Sequence, residues 1–272
     1  MKKKSPKSLL LSETRRLLDV VHDLRTQCPW DKKQTHRSLV RYLLEEAYET
    51  IEAIEHGDSE SLREELGDLL LQVALHAELA SERKGGFGFE EVARGIHQKM
   101  VRRHPHIYGD SGPYDSKQHQ KTWNQIKAKE RPRRSLLEGI PRSMPALSLA
   151  QRYGEIAGAV GFDWTTVEGV LEKVDEELDE LRMELRRKVR RKRDIEMELG
   201  DLLFTVAHVA RHLKIDAEAA LRKSALKFGR RFSELEARSR KKGRSLADCS
   251  AEELDREWEA IKTRVSKGHR IP

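Results

Sequence analysis

Apolar residues recur at intervals of three and four along most of the chain, the period of helices with one buried face. This spacing predicts a helix from Leu9 to Leu24, which Cys28, Pro29 and Trp30 interrupt before a second from Ser38 to Glu55. Gly57 and Asp58 carry a turn signal, and a third stretch from Ser59 to Lys84 holds Leu62, Leu66, Leu69, Leu70, Val73 and Leu75. The second and third helices are therefore expected to pair as an antiparallel hairpin. Gly85, Gly86 and Gly88 stop the third. Further helical patterns cover Phe89 to Arg103 and Ser116 to Glu130, separated by a loop holding His104, Pro105, Gly109, Gly112 and Pro113. No strand pattern competes, and the expected fold class is all-α.

Pro132, Gly139, Pro141 and Pro145 break the pattern, because proline lacks an N–H and cannot continue a helix. The expected organisation is a helical domain over 1–130, a linker over 131–150 and a second helical domain over 151–272. In the second domain, helices are expected from Thr166 to Lys188, Asp194 to Leu213, Asp216 to Lys241 and Ala251 to Val265. Thr165 with Glu168 and Ser250 with Glu253 read as capping boxes.

The second half repeats the first. EEAYE at Glu45–Glu49 recurs as EELDE at Glu176–Glu180, and ELGDLL at Glu65–Leu70 recurs as ELGDLL at Glu198–Leu203. KMVRR (Lys99–Arg103) matches KFGRR (Lys227–Arg231), and WNQIK (Trp123–Lys127) matches WEAIK (Trp258–Lys262). A unit of about 130 residues is too long for a solenoid repeat and suits a duplicated domain.

Within each repeat the acids have a geometry. Glu46 and Glu49 share one helix face, as do Glu65 and Asp68 on the next helix. Glu49 with Glu65, and Glu46 with Asp68, are both centred on residue 57, so an antiparallel hairpin folded there sets all four carboxylates at matched heights. Glu180 with Glu198, and Glu177 with Asp201, are likewise centred on residue 189. Converging carboxylates repel one another unless a cation neutralises them. All-oxygen ligation favours Mg²⁺ or Mn²⁺ over zinc. A di-iron centre would need Glu-x-x-His motifs, which neither repeat has. Lys99 with Arg103, and Lys227 with Arg231, each present two cations from one face and suit a polyphosphate. Trp123 with Lys127, and Trp258 with Lys262, pair an indole that can stack on a base with a lysine that can reach phosphate. Trp30 and Trp164 are read as packing residues, and the histidines as ordinary polar or core residues. No P-loop motif occurs. Metal-assisted attack by water is the chemistry this inventory supports.

Composition narrows the setting. Aromatics are 6% and charged residues 36%, in keeping with an exposed helical protein. The two cysteines, Cys28 and Cys249, lack metal-ligand spacing and fit a reducing cytoplasm. The N-terminal MKKKSPKSLLL is too short in its apolar run for a membrane span or a signal peptide. A net charge of +7 favours polyanionic ligands, and the basic run from Arg186 to Arg193 keeps a non-catalytic nucleic-acid-binding protein as the rival reading.

EExxE followed by ExxD across a hairpin, duplicated and joined by SLLEGIPRSMPALSLAQR, resembles the MazG nucleoside triphosphate pyrophosphohydrolase family. CPWDKKQTHRSLVRYLLEEAYE, Cys28 to Glu49, resembles the N-terminal signature of that family, and the likeness covers nearly the whole chain. It implies an all-α fold and Mg²⁺-dependent hydrolysis of NTPs or dNTPs, ATP among them, to the monophosphate and pyrophosphate. A pyrophosphatase specific for one modified nucleotide is a further alternative. By resemblance, Glu46, Glu49, Glu65 and Asp68 are metal ligands of the first repeat, and Glu177, Glu180, Glu198 and Asp201 those of the second. Lys99, Arg103, Trp123, Lys127, Lys173, Lys227, Arg231, Trp258 and Lys262 are expected to bind nucleotide, with Glu45 or Glu176 orienting the water. The resemblance also implies a homodimer, no specific nucleic-acid partner, and a second repeat that carries most of the activity. In that repeat Met197 stands where the first has Glu64.

Overall fold

The computed structural model describes residues 6–109 and 135–266 and, between them, positions 115, 118, 122, 123, 126 and 130. Lys127 and most of the helix expected from Ser116 to Glu130 lie outside the described residues. Among the described residues every regular element is helical. They fall into two compact units, Met1–Pro132 and Arg133–Pro272.

The first unit contains α1 (Pro6–Gln27), α2 (Val40–His56), α3 (Ser59–Ser81), α4 (Phe89–Arg103) and the single turn α5 (Pro105–Tyr108). The bend that separates α1 from α2 holds a short 3-10 turn, Asp31–Lys33. Arg25 braces that bend by donating to the backbone oxygens of Asp31 and Gln34 and to the Glu82 carboxylate. The α2–α3 hairpin turns where expected. Gly57 ends α2 in the left-handed conformation, φ 72°, which glycine adopts without steric cost. Asp58 then caps α3 by accepting from the Glu60 N–H at 3.0 Å. The core is small: Val21, Leu39, Ala74, Leu75 and Leu79 are buried, with Leu17, Leu18, Tyr42, Leu71 and Phe89 against them.

The second unit contains α6 (Ala146–Ala159), α7 (Val167–Arg186), α8 (Lys192–His212), α9 (Ala217–Lys241) and α10 (Ala251–Ser266). α6 begins within the proline-containing stretch, 131–150, expected to be a linker. Pro145 is its N-cap, a position that needs no N–H from proline, so the same residue that breaks one pattern starts another. α6 packs on α8, where Ala150, Ala207 and Ala217 are buried. The approach is close enough that a Cβ on Gly154 would lie 2.7 Å from Cε1 of His208. The Ser250–Glu253 capping box is present, with reciprocal bonds of 3.0 and 3.2 Å. The other is displaced by one residue: Thr166, not Thr165, caps α7, accepting from the Gly169 N–H at 3.4 Å. The position three beyond Thr166 is Gly169, which has no carboxylate to complete a box.

Leu39, 1% exposed at the start of the α2–α3 hairpin, should be among the costliest side chains to truncate. Leu39→Ala is expected to destabilise the first unit by about 2–5 kcal/mol, the usual range for emptying a buried leucine site. Urea titration followed by circular dichroism measures this, and an unchanged transition would contradict the assigned core.

Candidate metal centre

In both hairpins, acids from two antiparallel helices reach one point. One oxygen each from Glu46, Glu49 and Glu65 lie within 4.8 Å of one another in the first unit, and likewise Glu177, Glu198 and Asp201 in the second. Glu46 and Glu65 are half-buried and Glu49 is exposed, whereas Glu177 is only 6% exposed. The fourth expected member differs between units. Asp68 and Glu180 fall outside the two triads.

Both nevertheless act on the triads electrostatically. Lost hydration, then the charges of Asp68, Glu49 and Glu65, hold the Glu46 carboxyl above its usual range. Glu65 is raised by lost hydration and by Glu49, Asp68 and Glu64. Glu198 is raised by lost hydration, then by Glu180, Asp201, Glu177 and Glu184. Three carboxylate oxygens held this close together match the donor chemistry of a hard divalent cation. The residues present therefore fit Mg²⁺ or Mn²⁺.

The second site has an internal cation as well. Lys173 Nζ lies 2.8 Å from Glu177 and 3.0 Å from Glu176, so Lys173 and Glu176 meet beside the triad. Its hydrogen bonds to Glu177 and Glu176 push the lysine pKa upward. The equivalent position in the first repeat is Tyr42, whose ring is covered by the Arg41 guanidinium at 4.4 Å. Glu45, equivalent to Glu176, is exposed.

The basic and aromatic candidates diverge further. Arg103 donates to Glu130 at 2.5 and 3.1 Å, and its guanidinium lies 4.9 Å from the centre of the Trp123 ring. Hydrogen bonds from Arg103 and Arg102 lower the Glu130 carboxyl to about 2. Lys99 is half-buried on the same helix. In the second unit Lys227 is exposed, and the buried Nε of Arg231 has no hydrogen-bond partner among the described residues. Trp258 packs on Phe228 at 5.1 Å, and Lys262 is paired with Glu259 at 2.6 Å. Trp30 and Trp164 meet Tyr42 and His208 edge-on at 5.7 and 5.5 Å, while 49% and 37% exposed.

The Lys173 pairing was open to sequence reading, since its acids lie three and four residues on. The Arg103–Glu130 pairing was not, because nothing in the local pattern connects residues 27 apart. His36 and His76 also gave no signal as a pair, yet their rings stack 5.1 Å apart at 4°.

The MazG nucleotide pyrophosphohydrolase domain matches residues 34–108 and 165–235. A nucleoside triphosphate pyrophosphohydrolase/pyrophosphatase MazG of Thermotoga maritima is 45% identical over 90% of the chain and 94% of its own length. A nucleoside triphosphate pyrophosphohydrolase of Escherichia coli K12 is 42% identical, covering 93% of this chain and 98% of that one. A crystal structure of a mazG-related protein from Thermotoga maritima aligns with 42% of the chain and 97% of its own, at 27% identity and a TM-score of 0.37.

Because Glu198 binds its proton more tightly folded than unfolded, stability falls as pH rises through its raised pKa and returns as pH drops. Removing the charge should therefore help the metal-free protein at neutral pH. Glu198→Gln is expected to melt higher than wild type in EDTA, while losing the thermal shift that Mg²⁺ gives wild type. Calorimetry with and without EDTA reads both; a lower melting point in EDTA would contradict the assigned repulsion.

Proposed function

The chain belongs to the MazG nucleotide pyrophosphohydrolase family, and we propose that it hydrolyses nucleoside triphosphates to the monophosphate and pyrophosphate by water attack at the α-phosphate. The observation that carries this reading is the convergence of three carboxylates in each hairpin. Mg²⁺, or Mn²⁺, held there supplies a Lewis acid for phosphate oxygens and lowers the pKa of a bound water. The remaining work belongs to the protein. Glu177, Glu198 and Asp201 hold the cation, Glu180 adds negative charge beside them, and Glu46, Glu49, Glu65 and Asp68 do the same in the first unit. Glu176 orients the attacking water. Lys173 holds the acids together until substrate arrives, then turns its ammonium to phosphate. Lys227 and Arg231 neutralise the phosphate chain, with Trp258 against the base and Lys262 beside it.

We assign most of the activity to the second unit. In the first, the Arg103 guanidinium is already engaged by Glu130 and Trp123. In the second, the buried Arg231 Nε has no hydrogen-bond partner among the described residues and is left for a phosphate oxygen. Lys99 and Lys127 complete the equivalent set of the first unit.

A homodimer belongs to the same proposal. Leu44 with Leu70, and Tyr48 with Leu66, are centred on residue 57 just as the acids are, and all four are exposed. An apolar hairpin face of this kind is better covered by a second copy than by water. A cytoplasmic setting is supported by two cysteines that remain free thiols. No described helix is long and apolar enough to cross a membrane.

Two tests follow from this assignment. Pyrophosphate release from a panel of NTPs, dNTPs and modified nucleotides should require Mg²⁺ or Mn²⁺, and Glu177→Ala should lower kcat/KM on the order of 100-fold or more, against a smaller loss for Glu46→Ala. Absence of release from every nucleotide sinks the enzyme reading, and equal losses sink the preference for the second unit. Light scattering should show Leu66→Glu/Leu70→Glu at half the mass of wild type; an unchanged mass rejects this face as the interface.

A further inference from the structure

The eight residues from Arg186 to Arg193 read Arg-Arg-Lys-Val-Arg-Arg-Lys-Arg. They close the α7–α8 hairpin: the last residue of α7, the loop, and the first turn of α8. All eight are exposed. The chain has 53 basic and 46 acidic residues, so the seven cations of this stretch equal its whole formal net charge of +7. The rest of the protein is balanced. Only Arg187 has carboxylate partners among the described residues, Glu184 at 2.8 Å and Asp194 at 3.9 Å. The other six have none there. The first unit gives an internal comparison, because the same hairpin tip carries Glu52, Glu55, Asp58 and Glu60.

Six unpaired cations crowded into eight residues repel one another, and two of them, Lys192 and Arg193, sit in the first turn of α8, where the helix dipole already disfavours positive charge. Among the described residues, the ion pairs of Glu184 and Asp194 go to Arg187 and to none of these six. We propose that the tip of the α7–α8 hairpin binds the phosphate backbone of nucleic acid without regard to sequence. Nucleic acid offers closely spaced negative charges at the density the tip presents. Five of the seven cations are arginine, whose planar fork takes two phosphate oxygens at once. A membrane surface fits less well. The stretch contains one apolar residue, Val189, and so lacks the apolar face that an interfacial segment buries among lipids. Arg190, Arg191, Lys192 and Arg193 have no ion pair with Glu177, Glu198 or Asp201 among the described residues, so a contact made through them leaves the proposed chemistry unaltered.

The test measures fluorescence anisotropy of a labelled DNA duplex of about 20 base pairs with the full-length protein. Affinity should fall on the order of 10²- to 10³-fold between about 50 mM and 200 mM salt, as expected for several released counterions. The variant Arg190→Gln/Arg191→Gln/Lys192→Gln/Arg193→Gln should bind at least about 10-fold more weakly at the lower salt with a shallower salt slope. Its pyrophosphate release should equal that of wild type. Arg190→Lys/Arg191→Lys/Arg193→Lys, which keeps the charge, should keep most of the affinity. Binding by the glutamine variant as tight as wild type overturns the proposal, as does absence of binding by wild type at low salt. Capture by phosphatidylserine vesicles but not by DNA overturns it too. A protein that binds DNA through the tip yet releases no pyrophosphate upholds this proposal and overturns the enzymatic one.

Discussion

The structure is organised around an unfavourable interaction, the mutual repulsion of carboxylates brought within 4.8 Å of one another. Two flexible segments would relax such a cluster by moving apart. Two helices packed along their length cannot, because separating the acids means separating the apolar contacts as well. The local signals around the first turn serve that end. Left-handed Gly57 ends one helix and Asp58 starts the next, so no slack residues remain to let the register slip. The raised pKa values of Glu46, Glu65 and Glu198 are the residue-level trace of that confinement. Such a cluster favours binding a cation because the cost of assembling it has already been met by folding.

Duplication has kept the frame and changed its neighbours. Glu46 and Glu65, like Glu177 and Glu198, occupy both triads, but the third carboxylate comes from α2 in one unit and from α8 in the other. Lysine stands beside the acids in the second unit where tyrosine stands in the first. A lysine held by two glutamates is a stored cation: it lowers repulsion in the resting site and can be redirected towards an anion. Arg103 shows the contrary case. Its charge is satisfied by Glu130 and its face by Trp123, so any anion would have to displace both to reach it.

Much of this was legible in the amino-acid pattern. The hairpins, their turns and the convergence of the acids follow from 3.6-residue periodicity and from pairs centred on one residue, which depend on local geometry alone. Helix α6 is hidden in the sequence because Pro145 has the form of a helix breaker, whereas proline at a helix start costs nothing. The one-residue displacement of the α7 cap reflects two adjacent threonines, between which local preference decides poorly. Arg25 with Glu82, Arg211 with Asp163, and Arg103 with Glu130 join residues 27 to 57 apart. Pairings of this kind depend on how helices pack, and no short window contains them. The differing fourth acid was hidden for the same reason, since equal heights do not fix which side-chain rotamer reaches the centre.

Residue 189 lies at the centre of the second hairpin as residue 57 does of the first, although the connection is two residues longer. An insertion at the midpoint of an antiparallel pair lengthens both arms' separation in sequence equally and leaves every facing pair intact. Placed within either helix between the acids, it would shear one helix against the other by about 1.5 Å per residue and dismantle the cluster. Between the paired acids, the hairpin tip is thus where length and composition can change without penalty to them. It behaves as a graft point: variation accumulates where the geometry is indifferent to it, and a tight acidic turn in one copy can become a long arginine-rich one in the other.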